Sequence, residues 1–95
     1  MDNKIPWSVM NRRIFSMGLS TEAISAYIIC CNLADNGKTI SKANIASFWN
    51  STSQDLVNSL EELIRRNVLR KVISDMEGRE IYAIEKVQDW TFREQ

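Results

Sequence analysis

The most specific chemistry in this chain lies in Thr52, Ser53, Gln54 and Asn58, four side chains at the start of one predicted helix. The amides of Gln54 and Asn58 suit the donor–acceptor edge of adenine, and the hydroxyls of Thr52 and Ser53 suit phosphate oxygens. Cations flank them: Lys42 before, and Arg65, Arg66, Arg70, Lys71 and Arg79 after. Each is a candidate phosphate contact, and Arg79 is the natural backbone contact for a ribbon that touches a duplex. Between Lys38 and Arg79 there are seven basic residues against five acidic ones, a weak local surplus that fits a solvated face at the end of a helix as well as a phosphate-contacting patch. Asp55, Glu61 and Glu62 stand on the same helix and oppose a polyanion, although Asp55 and Glu62 are in position to form ion pairs along the helix surface.

Other chemistries are poorly served. The chain has no histidine, which removes imidazole bases, histidine-centred triads and histidine metal ligands together. Cys30 and Cys31 are neighbours in sequence. A bridge between them would be strained, and two thiols do not complete a zinc site, so they read as small helix residues in a reducing compartment. Glu61 and Glu62 point in different directions from a helix surface, and the three glycines are too scattered to build a phosphate loop. The expectation is a protein that is not an enzyme and needs no cofactor or metal. Twelve basic and twelve acidic residues give zero formal charge, so nothing in the total argues for nucleic acid.

The elements that must position these residues follow from periodicity. Leu56, Val57, Leu60, Leu63 and Ile64 form one face of a helix ending at Arg65-Arg66, with Asn67 as its left-handed cap. Ser51 and Ser53 are rival N-caps, Ser51 with Gln54 making a capping box. Ahead of it, Ser41 caps a helix that places Ile45, Phe48 and Trp49 on one face. Thr39-Ile40 reads as a short strand. After Asn67 the period changes to that of a ribbon: Val68–Ile73, a turn over Asp75–Gly78, and Arg79–Val87, with Ile81, Ala83 and Val87 on one face and Tyr82 and Ile84 on the other. Further upstream, Ser20 caps a run from Thr21 to Asp35 that is apolar on nearly every side, closed by Gly37. Such a helix is central, or keeps a face for another subunit. Pro6 suits the first turn of a short helix in the N-terminal arm, which either docks on the core or reaches a partner protomer or the DNA backbone. Trp90 and Phe92 make the tail too aromatic for plain coil, and one of them is expected to pack back on the fold or against a neighbour.

At 95 residues and 44% hydrophobic content, the chain has enough for one core. No apolar stretch reaches bilayer length and no signal-peptide pattern opens the chain, so a cytoplasmic protein without a membrane partner is expected. The fold class expected is mainly α with a small β-wing, a winged helix-turn-helix: arm 1–16, central helix 20–36, helix-turn-helix 39–66, wing 68–87, tail 88–95. Ile5, Trp7, Ile14, Phe15, Tyr27, Trp90 and Phe92 are the candidates for an oligomer interface.

Ile5-Pro6, the Met17-Gly18-Leu19-Ser20-Thr21-Glu22 lead into the apolar helix, and the Ile45, Ser53, Val57, Leu60-Glu-Glu-Leu63 and Asn67-Val68-Leu69 core together resemble the N-terminal winged-helix domain of DnaD-like replication proteins. Those are replisome organisers of bacteria, phages and plasmids. The resemblance covers nearly the whole chain through motifs generic to winged helices. It implies a domain that mainly drives oligomerisation, with most DNA affinity in a second domain that does not follow here. The chain is then a piece of a longer protein or a stand-alone relative. Asn67, where glycine is commoner, and the aromatic tail depart from the pattern. Two functions fit these residues. One is a DNA-linked protein of replication initiation or transcriptional control, acting through self-association and DNA or replication and transcription partners. The other is an interaction module with negligible DNA affinity.

Overall fold

The computed structural model describes residues 10–74 and 79–92. They form a small, helix-rich domain of three helices and a two-stranded antiparallel sheet, an arrangement compatible with a small wing. A 3-10 turn over Arg12–Ser16 leads into α1 (Thr21–Asp35), followed by α2 (Lys42–Ala46), α3 (Ser53–Arg65), β1 (Leu69–Ser74) and β2 (Glu80–Ile84). A last 3-10 turn, Val87–Asp89, carries the tail. Among the described residues, no helix is long and apolar enough to cross a membrane.

Each helix begins where a hydroxyl takes a backbone donor that has no partner within the helix. The Ser20 Oγ accepts from Ala23 N at 3.1 Å and the Ser41 Oγ from Asn44 N at 3.0 Å, as expected. For α3 neither expected serine is the cap. Thr52 lies between them and accepts from Asp55 N at 3.0 Å, while Ser51 donates its hydroxyl to the Asp55 carboxylate. The chain leaves α1 through Gly37 at φ +69° and α3 through Asn67 at φ 63°, both in the left-handed region predicted for them. Non-glycine residues rarely hold that conformation, and asparagine is among those that tolerate it best.

α1 packs against α3 through Ala23, Ala26, Tyr27 and Cys30 on one side and Leu56, Leu60 and Leu63 on the other, all buried. α1 is not sealed all round, because Ile28 is 41% exposed. α2 is shorter than predicted and ends at Ala46. Ile45 is buried and Trp49 half-buried, but Phe48 lies past the helix end and is 56% exposed, off the expected common face.

The two strands pair Leu69 with Ile84, Arg70 with Ala83 and Lys71 with Tyr82, then shift by one residue. Val72 is the extra residue at that irregularity and is exposed. β2 stops at Ile84, so Val87 belongs to the closing 3-10 turn instead of the strand. Tyr82 and Ile84 share the core-facing side, as alternation requires. Thr39-Ile40 forms no strand. Contact there is one bridge, Ser41 with Ile81, and a hydrogen bond from Tyr82 N to Ile40 O at 2.8 Å. The expected hairpin turn with Gly78, and Pro6 in the arm, lie outside the described residues.

Candidate functional site

The exposed ridge of α3 runs through Gln54, Asn58, Glu61 and Arg65, spaced so that they share one face. Ser53 is exposed beside them. Gln54 Nε2 donates to Asn58 Oδ1 at 3.0 Å, so the two amides predicted to meet bases are joined one turn apart. The Thr52 hydroxyl is committed to its capping bond.

The acids of α3 are differently occupied than the sequence implied. Asp55 takes the Ser51 hydroxyl at 2.6 Å. Glu62 accepts from both Ser20 N (3.0 Å) and Ser20 Oγ (2.8 Å), tying α3 to the first turn of α1. Both carboxylates thus hold serines in place at helix starts. Glu61 remains on the ridge and lines a cleft between α3 and the sheet.

That cleft brings three of the predicted cations together. A cavity of about 120 Å³ is lined by Lys42, Val57, Glu61, Lys71, Glu80 and Tyr82, among others. A second, of about 310 Å³, is lined by Lys42, Ala43, Arg79 and Glu80. Lys42 and Glu80 belong to both, so Lys42, Lys71 and Arg79 border one continuous surface beside α3. Glu80 is its hub: Tyr82 donates its hydroxyl to Oε1 at 2.7 Å, and Lys71 Nζ lies 3.7 Å from Oε2. The Tyr82 hydrogen bond, then the charges of Lys71 and Lys42, hold the Glu80 carboxyl below its ordinary pKa. Burial, then the Glu80 carboxylate, pushes the Tyr82 hydroxyl up.

The other predicted cations are elsewhere. Arg70 lies on the opposite side of the hairpin, where its Nε is 2.6 Å from Glu85 Oε2. Arg65 is exposed in the last turn of α3. Arg66 must be removed from the phosphate-contacting set. It is 5% exposed, and its guanidinium donates to three backbone carbonyls: Thr91 O at 2.8 Å, Met17 O at 2.9 Å and Phe92 O at 2.7 Å. It joins the tail to the loop before α1 and offers no surface to a ligand.

The proposed oligomer contacts divide similarly. Ile5 and Trp7 lie outside the described residues. Ile14, Tyr27 and Trp90 are buried within the domain, which corrects their assignment to an oligomer interface; for Trp90 the structure has the other expected outcome, packing back on the fold. Trp90 meets Tyr27 edge-on, with ring centroids 5.6 Å apart and an interplanar angle of 86°. Phe92 is half-buried under the Arg13 guanidinium, 4.5 Å from the ring centroid. Phe15 is 57% exposed and stays available. Sequence reasoning missed Phe48, which with Ile28, Ile29 and Trp49 lines a cleft of about 560 Å³ between α1 and the α2–α3 connection. The available signal was the excess of apolar residues around α1.

Cys30 and Cys31 are buried and unbridged. Burial is the main cause that pushes their thiols up to about 12 and about 11, which disfavours the reactive thiolate. No family model, curated protein or solved structure matches the chain.

Proposed function

We propose that the chain is a winged helix-turn-helix domain that meets nucleic acid, with α2 and α3 as the helix-turn-helix pair and the β1–β2 hairpin as the wing. The observation that carries this reading is the convergence of Lys42 from α2, Lys71 from β1 and Arg79 from just before β2, beside the exposed Gln54–Asn58 ridge of α3. A reading helix laid in a major groove needs phosphate-binding groups on its flank, and these elements supply them. In the joined amide pair, Gln54 brings an acceptor and Asn58 a donor, the two functions an adenine edge pairs with. The resemblance to DnaD-like domains adds the setting: replication initiation or transcriptional control, with self-association and partner binding.

Duplex binding followed by fluorescence anisotropy across salt concentrations tests this reading. Log affinity is expected to fall with log salt at a slope of roughly −0.9 per phosphate contacted, and Lys42→Ala with Lys71→Ala to flatten it. Binding that ignores both substitutions would remove the surface from the account.

A protein-interaction module is the second reading, and a different observation favours it. Ile28 and Phe48 are large apolar side chains left exposed around one cleft, on a chain with no net positive charge. Light scattering at micromolar concentration separates the two: a mass above the monomer's with no duplex affinity supports the module.

A further inference from the structure

The cleft beside α3 contains its own counter-ion. Glu80 lies among the cations of the cleft: it lines both cavities together with Lys42, and its Oε2 is 3.7 Å from Lys71 Nζ. Its other oxygen is held by the Tyr82 hydroxyl, and Tyr82 is itself buried, so the carboxylate is fixed over the cleft by a rigid support. We propose that Glu80 is an intramolecular brake on phosphate binding, a phosphate mimic that a nucleic-acid backbone must displace before Lys42 and Lys71 can engage it. The inference rests on the nucleic-acid reading above and adds how that surface is restrained.

The physical argument is one of like charge and shared partners. An ammonium paired to a carboxylate has already lost much of its field, and a polyanion approaching it meets the repulsion of Glu80 as well. Each cation released from Glu80 becomes one that can replace a condensed counterion on the duplex. The pair is solvent-accessible, so it can exchange one acceptor for another without burying an uncompensated charge. Tyr82 keeps Glu80 in place and thereby positions the brake without touching the ligand.

Glu80→Gln tests this, since the amide retains an acceptor for Tyr82 while the charge is lost. Glu85→Gln is the matched control: it makes the same change in net charge beside Arg70, on the other side of the hairpin. Both are measured against a fluorescent duplex of mixed sequence between about 50 and 200 mM salt. Glu80→Gln is expected to bind about three- to tenfold tighter than the parent at the low end of that range. Its salt slope should be steeper by roughly 0.9, one further phosphate contact. Adding Lys42→Ala and Lys71→Ala to it should abolish the gain. Equal affinities for Glu80→Gln and the parent, or an equal gain from Glu85→Gln, would overturn the brake. The nucleic-acid reading would survive that outcome if the lysine substitutions still weakened the parent protein. No duplex binding by any of the proteins, including Glu80→Gln, would remove both.

Discussion

Arg66 and Glu80 each stand at the centre of a polar network, one sealed inside the domain and one open to water. The guanidinium of Arg66 is enclosed, and its partners are backbone carbonyls of Met17, Thr91 and Phe92 that have no freedom to leave. The carboxylate of Glu80 is half-exposed, and among its partners is the ammonium of Lys71, a flexible group that solvent or another anion can reach. A buried charge with fixed acceptors serves the fold, because breaking it strands polar groups away from water. An exposed pair contributes little to stability and is correspondingly free to exchange. The sealed network therefore predicts large effects on unfolding and none on ligands, and the open one the reverse.

The hardest way to break the sealed side is to remove its apolar neighbour. Trp90→Ala deletes the ring that packs edge-on against Tyr27 and the indole N–H that donates to Glu85 O at 3.0 Å. It should cost about 3–5 kcal/mol in urea unfolding. A loss below about 1 kcal/mol would mean that the tail is not part of the core. Arg66→Met keeps the bulk of the side chain and abandons three carbonyls. Its expected cost is about 3 kcal/mol by the same measurement. A stability equal to the parent's would show that water replaces the guanidinium.

The buried thiols act only at high pH. Cys30 and Cys31 have folded pKa values raised from 9.0 to about 12 and about 11, chiefly by burial of groups that ionise freely once the chain unfolds. Their contribution to stability is complete below about pH 9 and is lost as pH rises through the folded values. The urea midpoint should accordingly fall progressively above about pH 9, and replacing both thiols by alanine or serine should blunt that fall. Smallest of all, Glu80→Gln should leave the thermal midpoint nearly where it was, because the pair it breaks is screened by solvent. A large drop would move Glu80 to the structural side of the comparison.

Local signals in the chain are legible where the physics is local. Ser20, Ser41, Gly37 and Asn67 act through the few residues beside them, and their roles as caps and left-handed exits were recoverable from residue type and spacing. The bounds of α1 and the core face of α3 follow from periodicity in the same way. The N-cap of α3 shows the limit even there. Ser51, Thr52 and Ser53 all have a suitable hydroxyl, and the choice of Thr52 depends on how the chain turns after Trp49, whose indole N–H donates to Thr52 O.

Arg65 and Arg66 mark where the sequence ceases to decide. They are the same residue type in adjacent positions, and charge alone makes them equal candidates for phosphate. One helical step of about 100° separates them, and the returning tail covers only the second. Nothing near Arg66 in sequence announces that Thr91 and Phe92 will place their carbonyls over it. Likewise, nothing in the order of Lys42, Lys71, Arg79 and Glu80 indicates that α2, β1 and β2 gather them at one cleft. By itself the sequence determined that the helices exist, both ends of α1, the exit of α3 and the change of period to a ribbon, because these depend on interactions within a turn or two. Only the tertiary structure decided which charges are enclosed and which remain open to a partner, because burial and pairing depend on residues that meet across tens of positions.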